Sequence, residues 1–332
     1  MIEINVNRVA DKMTAQTEKA VLNAYKESLD SMRLQMGKLY EKYSKNGSLT
    51  YAEMTKYNRL KSMQTSIQSN IGKTYKTLGT ETRSLAKKVY EESFFRYGWA
   101  IEQDMGVNLS YGLINPDIIQ ASIENPISGL TLKETLNKNR INVVTALKQN
   151  ITQGLILGEA YDKMAKRIKN TLDGDATKAM RVVRTEAHRN SNQARLSSIE
   201  HASKKGVDIT MQWRATFDDR TRDTHTHMDG QRRKVGENFV SPSGAEGPAP
   251  GMLGRASEDV NCRCTLRPIV NGWEPSVRKD MMTKELIPYT NYETWAEAKG
   301  IKTNSLLSPS KKDVDLKDLN TKIKATKTIA HA

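Results

Sequence analysis

From Gly158 to Glu200 the chain reads GEAYDKMAKRIKNTLDGDATKAMRVVRTEAHRNSNQARLSSIE, and apolar residues recur along it at helical spacing. These residues are Ala160, Met164, Ala165, Ile168, Ala179, Val182, Val183 and Ala187. This pattern predicts one long helix. After Gly206 the segment ITMQWRAT, from Ile209 to Thr216, alternates in the manner of a strand. A change from helix to strand within one chain favours a predominantly helical α+β fold.

A second predicted strand follows this one along the chain. CTLRPIV, from Cys264 to Val270, has a strand-like composition, and residues 236–256 between the two strands are rich in Gly and Pro. Such a segment predicts a long loop, which in a compact domain usually has a role in function or packing. We therefore expect residues 151–272 to form a mixed domain with a small sheet.

The residues before this domain are predicted to be helical. An apolar stripe with alternating spacings of four and three consists of Tyr25, Leu29, Met32, Met36, Leu39 and Tyr43. Asn46-Gly47 is expected to end this helix, and Thr50 with Glu53 is a capping box that would begin a second one. Together they predict a long helical hairpin arm over residues 1–105, followed by a helical connector over 106–150.

The apolar stripe suggests a role for the arm. An isolated pair of helices buries little surface, so the stripe from Tyr25 to Tyr43 would stay partly exposed. We therefore expect it to dock another protein or a second copy of the same arm. A charge at Met32 or Met36 is predicted to abolish that docking.

The charge of the chain indicates an anionic partner. Its 332 residues include 52 Lys and Arg against 38 Asp and Glu, a net charge of +14. Nucleic acid is the commonest partner of such a surface, although net charge also serves solubility. The residues predicted to contact double-stranded DNA, without base readout, are Arg220, Arg222, Arg232, Arg233 and Lys234. The C-terminal extension, 273–332, is predicted to end in a mobile Lys-rich tail.

Several classes of protein are excluded. No apolar run approaches the ~18 residues of a membrane span, and the first residues do not form a signal peptide, so we expect no membrane partner. Cys262 and Cys264 lie too close together in sequence for a bond between them to connect distant parts of the fold. The class of small proteins held together by several disulfide bonds is therefore excluded. We expect the protein to be made in a reducing cytoplasm.

The same two cysteines are candidate metal ligands. If His225-x-His227 and Cys262-x-Cys264 are extended, each pair faces one side and the four residues could close a tetrahedral zinc site. Asp219 or Asp229 could replace His227. Two alternatives stay open: buried cysteines that only pack beside a locally hydrogen-bonded His225, and a Cys262–Cys264 disulfide near the limit of its Cα reach.

An ordered set of short motifs supports a family resemblance. The set comprises Gly154, Gly158-Glu159, Met164–Ile168, Arg184-Thr185-Glu186, Asn192, Trp213-Arg214-Ala215, Asp219–His225, Asp229-Gly230 and Asn261–Cys264. In this order the set resembles the phage Mu F-like head morphogenesis family of tailed bacteriophages. The resemblance covers the middle third of the chain. Within it, the residues we expect to be structural are Arg184, Glu186, Trp213, Asp219 and Gly230.

The resemblance implies a minor head protein present in few copies. It implies a location in the capsid interior of the virion, contacts with the portal and with capsid or scaffold proteins, and a part in head assembly. Ejection with the genome is a further expectation. Self-association through the helical arm is expected from the apolar stripe.

Enzymatic alternatives rest on two small clusters. Arg184 and Glu186 are similar to ADP-ribosyltransferase-like sites, but residues two apart on a helix face different directions. We expect them instead to pair with neighbouring elements and lock the long helix to the sheet. Asp218, Asp219 and His225 suggest a metal-dependent nuclease, but no complete set of acid, base and nucleophile is visible. The expectation is no enzyme, and the alternative is a nuclease or transferase acting after injection.

Overall fold

The N-terminal two thirds of the protein are helical in the computed structural model, which describes residues 6–216, 220–270, 278–279, 286–287 and 300. The helices in this part are α1 (Val6–Tyr43), α2 (Tyr51–Thr55), α3 (Arg59–Met105), α4 (Pro116–Glu124), α5 (Leu132–Ile156) and α6 (Tyr161–Lys204), with a 3-10 turn at Lys56–Asn58. The helices and strands that the structure describes lie in one compact unit within Met1–Tyr289. None of the described helices is long and apolar enough to cross a membrane.

The centre of the apolar stripe of α1 lies inside the molecule, since Tyr25, Met32 and Met36 are buried, and the remaining members Leu29, Leu39 and Tyr43 are half-buried. Helices α1 and α3 run antiparallel, as the predicted hairpin requires, with Ser28 Oγ 2.6 Å from Thr74 Oγ1. Helix α6 packs against both of them, and Met32 and Met36 are 0% exposed. The prediction that the stripe forms an exposed docking face is therefore wrong, because a helix of the same chain covers it.

A buried carboxyl group connects these three helices. Asp175 on α6 accepts hydrogen bonds from the hydroxyls of Tyr25 on α1, at 2.6 Å, and Tyr75 on α3, at 2.9 Å. Burial raises the pKa of Asp175 above its usual value, although both hydroxyls act in the opposite direction. The phenols satisfy the carboxyl oxygens, so the cluster fixes the register of α1, α3 and α6.

The turn between α1 and α3 follows the sequence prediction in part. Asn46 and Gly47 both have positive φ, at 52° and 75°, and end the first helix as expected. Thr50 Oγ1 accepts the backbone N–H of Glu53, which starts α2. The second helix is not continuous, because Tyr57 and Asn58 adopt left-handed backbone and α3 begins only at Arg59.

The connector folds as helices α4 and α5. Asn115 caps α4, whose first residue is Pro116. Thr131 and Glu134 form a full capping box at the start of α5, which continues to Ile156. Helix α5 packs against α3 and α6. The division of the chain into arm, connector and domain stays a prediction.

The C-terminal part contains a small antiparallel sheet. Its elements are β1 (Ile209–Arg214), α7 (Asp223–Met228), β2 (Arg232–Lys234), β3 (Phe239–Val240), β4 (Glu246–Gly247), α8 (Ala256–Asp259), β5 (Thr265–Val270), β6 (Arg278–Lys279) and β7 (Leu286–Ile287). Strands β2, β1 and β5 lie in that order, with Trp213 opposite Leu266. Both predicted strands and the α+β class are confirmed. The predicted mobile tail lies outside the described residues.

Candidate metal centre

One histidine and both cysteines meet at the edge of the sheet. His225 Nδ1 lies 3.3 Å from Cys264 Sγ and 3.7 Å from Cys262 Sγ. The potential ligand atoms of the three residues all lie within 4.8 Å of one another, and the side chains are buried. Among the described residues, no other His, Cys, Asp or Glu belongs to this group.

Two short helices bring these side chains together. His225 lies on α7, and the cysteines lie between α8 and β5. After α8, Asn261 adopts left-handed backbone with φ 58°, and the Cys262 N–H donates to Asp259 O at 3.2 Å. This tight turn directs Cys262 toward His225, and Cys264 follows just before β5 begins.

His227 does not reach the cluster, which corrects the predicted ligand set. The predicted pairing required an extended segment, whereas residues 223–228 form a helix, on which positions two apart face different directions. His225 is buried and His227 is exposed, with its Nδ1 2.7 Å from Asp223 O. Asp229 is engaged elsewhere, since its Oδ1 accepts the Ala215 N–H at 2.7 Å. Asp218 and Asp219 lie outside the described residues.

A buried glutamate lies on the other side of the histidine ring. Glu258 Oε2 is 2.9 Å from His225 Nε2, although it is off the line of the ring N–H, so this nitrogen has no aligned hydrogen bond. Thr224 donates to Glu258 Oε2 at 3.0 Å and Ser241 to Oε1 at 3.4 Å. Burial by itself raises the pKa of Glu258, but hydrogen bonds and the charge of His225 lower it overall. Sequence reasoning missed Glu258 because this residue directly follows the predicted loop over residues 236–256, where no regular pattern points to a buried side chain.

The two thiols differ in acidity. Hydrogen bonding from Cys262 lowers the pKa of Cys264 to about 5, helped by His225, although burial acts in the opposite direction. The Cys264 sulfur and burial raise the pKa of Cys262 well above its usual value. Both cysteines are free thiols in the structure, which gives no support to the predicted disulfide alternative.

The cluster is joined to α6 through the backbone of Cys264. His188 Nε2 donates to Cys264 O at 2.6 Å, and Asn192 Nδ2 donates to the same oxygen at 3.0 Å. Asn192 Oδ1 also accepts the Leu266 N–H at 3.2 Å. Burial lowers the pKa of His188 to about 4, so its ring is neutral at neutral pH and donates through Nε2. Thr185 accepts the Asn261 N–H at 3.1 Å, a further link between helix and turn.

Arg184 joins α6 to α1 and Glu186 pairs within α6, so neither residue joins the helix to the sheet as predicted. Arg184 pairs with Glu18 on α1. Glu186 is buried and pairs with Arg189 at 2.7 Å, and Arg189 donates to Ser122 O on α4 at 2.8 Å. The two residues face different directions, as predicted, because they lie two positions apart on one helix. The contacts to the sheet come instead from Thr185, His188 and Asn192.

The comparisons with known proteins agree with the motif order. Residues 145–267 match the family described as "Phage Mu protein F like protein". The chain is 36% identical over 299 residues to Minor head protein GP7 of Bacillus phage SPP1, covering 88% of this chain and 97% of that protein. The chain belongs to the phage Mu F-like family of minor head proteins. The family predicted from the ordered motifs is therefore confirmed.

Two other relatives extend the comparison. The chain is 32% identical over 285 residues to NAD(+)--arginine ADP-ribosyltransferase EFV of Enterococcus faecalis, covering 84% of this chain but only 57% of that protein. A protein of Haemophilus influenzae without a named function is 21% identical over 197 residues, 59% of this chain and 40% of the relative. No solved structure matches the chain.

Two residues of the Mu F-like motifs shape the sheet beside the cluster. Trp213 is buried, with its ring centroid 5.4 Å from that of His225 and 5.5 Å from that of Phe239. Gly230 has φ 78°, and its N–H donates to Trp213 O at 2.9 Å. This left-handed turn returns the chain from α7 into β2, a conformation that a side chain at residue 230 would strain.

The predicted DNA-contacting residues of this Mu F-like protein separate into two groups. Arg220, Arg232 and Lys234 are exposed, and the latter two lie on the edge strand β2. Arg222 instead donates to Val260 O, and Arg233 donates to Asn238 O at 2.8 Å. The structure thus brings Arg232 and Lys234 to one strand edge and gives Arg222 and Arg233 contacts within the protein.

Proposed function

We propose that this protein is a minor head protein carried inside the capsid of a tailed phage, near the portal. The observation that carries the proposal is the 36% identity with the SPP1 minor head protein over 97% of that protein's length. A match over nearly the whole relative supports a shared role better than a match to one domain. Contact with the portal and with capsid or scaffold proteins, and ejection with the genome, are parts of the same proposal.

The proposed contact with packaged DNA is non-specific. The net charge of +14 supports it, as do Arg232 and Lys234 on the exposed edge of β2. Phosphate neutralisation by such residues carries no sequence information. Replacing both residues with Glu should weaken binding to any duplex. The slope of log affinity against log salt concentration should fall by the contribution of about two phosphate contacts. Lys61→Glu, an exposed change on α3, is the matched control.

Docking to the portal requires a surface other than the apolar stripe. Exposed apolar side chains include Tyr57, in the 3-10 turn between α2 and α3, and Ile156 and Leu157 at the end of α5. The α1–α2 turn and the α5–α6 turn are in contact, since Ser48 Oγ donates to Gly158 O at 2.9 Å. We place protein docking, including any self-association of the arm, on this end of the helical region.

The first experiment is quantitative mass spectrometry of purified DNA-filled particles of the phage or prophage that encodes the chain. A few copies per particle, protected from protease in intact heads, are expected. Complete absence from particles, with the protein abundant in the lysate, would overturn the proposal. Comparing full heads with heads after ejection tests whether the protein leaves with the genome.

An ADP-ribosyltransferase is the second candidate, supported by the named activity of the Enterococcus faecalis relative. The match covers 57% of that relative's length. In this chain Glu186 is buried against Arg189 and Arg184 pairs with α1. Transfer of label from NAD⁺ to arginine by the purified chain would support the enzyme, and loss of that label in Glu186→Gln would assign it.

A further inference from the structure

We propose that His225 Nδ1 and the sulfurs of Cys262 and Cys264 bind a zinc ion, which fastens the sheet region to α6. Glu258 orients the histidine from the opposite side of its ring. The site is structural rather than catalytic. This inference stands independently of where in the particle the protein acts.

The distances between the donor atoms fit a tetrahedral ion. Zinc holds sulfur at about 2.3 Å and nitrogen at about 2.0 Å, which at a tetrahedral angle separates the two ligand atoms by about 3.5 Å. The observed Nδ1–Sγ distances of 3.3 Å and 3.7 Å lie on either side of that value. Thiolate and imidazole are also the ligands that zinc prefers.

Glu258 supplies the outer support that metal-binding histidines usually have. A histidine that ligates through one nitrogen generally donates its other N–H to a carboxylate, which fixes the tautomer and orients the ring. Glu258 Oε2 lies 2.9 Å from His225 Nε2, and Thr224 and Ser241 hold the carboxylate in place. A small rotation of the ring would align this N–H with the carboxylate.

Burial assigns the site a structural role. His225, Cys262 and Cys264 are each 3% exposed or less, so a substrate has no direct approach to an ion between them. A divalent cation also neutralises two buried thiolates, whose charge would otherwise be costly to desolvate. The described residues supply three of the four ligands that a structural zinc takes.

The contacts of Cys264 explain what the ion would hold together. The residue offers its sulfur to the cluster while its carbonyl oxygen accepts from His188 and Asn192 on α6. On the other side, α7 carries His225 and leads into β2. An ion bound here would therefore connect α7, the turn before β5 and the long helix at one point.

Metal content and a cobalt titration test the proposal on the full chain. Purified protein should contain about one zinc per chain by inductively coupled plasma mass spectrometry. After chelation, added Co²⁺ should produce sulfur-to-cobalt charge-transfer absorption, which zinc then displaces. Zinc should also protect both thiols from alkylation in the folded wild-type protein.

The matched variants are His225→Ala and His227→Ala, two positions apart on the same helix. His225→Ala should lose the zinc and the cobalt absorption, and His227→Ala should keep both. Equal metal content in the two variants would overturn the proposed ligand set. A folded wild-type chain that contains no zinc, gives no cobalt–thiolate absorption and shows no protection of its thiols would overturn the site, whether or not His225→Ala folds.

Discussion

The helical bundle and the sheet region are held together by different kinds of interaction. In the bundle, α1, α3 and α6 are each at least 38 residues long and bury continuous apolar faces, with Asp175 as a polar link between them. In the sheet region the described strands have two to six residues. Such short strands bury little apolar surface. The ordered structure of the sheet region therefore depends on buried polar side chains, such as Asn192, Glu258 and the His–Cys cluster. The comparison predicts that the two regions respond to different substitutions.

The largest effect is expected in the bundle. Met32→Glu places a charge at a fully buried position between three helices, and should destabilise the fold by at least about 4 kcal/mol. Leu34→Glu, two residues away and 63% exposed, should change stability by less than about 0.5 kcal/mol. Denaturant unfolding monitored by circular dichroism measures both. Equal stabilities would contradict the packing of α6 over the stripe.

The second largest effect is expected where hydrogen bonds join α6 to the sheet region. Asn192→Ala removes three hydrogen bonds, to Cys264 O, Pro250 O and Leu266 N, and should destabilise the protein by about 3 kcal/mol. Hydrogen exchange should increase first at β5 while α1 and α3 stay protected, because the bundle does not use these bonds. The control is Gln193→Ala at the neighbouring half-buried position. Uniform loss of protection would show that the two regions unfold as one.

Glu258→Gln examines the outer support of the proposed zinc site. A neutral amide orients His225 less strongly, so zinc affinity should fall about 10-fold to 100-fold with little change in the bundle. Competition with a chromophoric chelator measures the affinity. Glu246→Gln, an exposed change in the same region, should leave it unaltered. An unchanged affinity in Glu258→Gln would mean that the carboxylate serves packing alone.

The smallest effect concerns the pH dependence of the bundle. Because burial raises the pKa of Asp175, the folded state holds this proton more tightly than the unfolded state does. The resulting stability is present below the unfolded pKa and is lost as pH rises through the folded one. Asp175→Asn should therefore lose stability relative to wild type at about pH 4 more than at about pH 7. Asp173→Asn, at an exposed position on α6, is the control for the loss of a carboxylate outside the bundle core.

Much of the fold was predictable because a long helix repeats the same spacing of apolar residues over many turns. The spacing of Met32 and Met36, the Asn46-Gly47 turn and the alternation from Ile209 to Thr216 each carried enough information to assign an element. The packing of α6 over α1 was not predictable, since it joins residues 150 positions apart that share no local pattern.

The candidate site was predictable by residue type rather than by geometry. His225, Cys262 and Cys264 stood out as metal-binding chemistry, but the six-residue helix α7 is too short to show a helical period, so His227 was assigned to the wrong face. Glu258 could not be found because its partner is 33 residues away and its role depends on where the ring nitrogen points. Asn192 was visible only as one member of an ordered motif set.

The distance in sequence between Tyr25 and Asp175 also has a consequence for synthesis. A ribosome adds about 5 to 20 residues per second, so the 150 residues between the two partners take roughly 8 to 30 s to make. During that interval α1 and α3 can pair, but the helix that covers Met32 and Met36 does not yet exist. The nascent chain therefore displays the apolar face that the finished protein hides. We expect holdase chaperones, and other nascent chains on the same polysome, to bind this apolar face during synthesis, whereas the folded protein does not expose it.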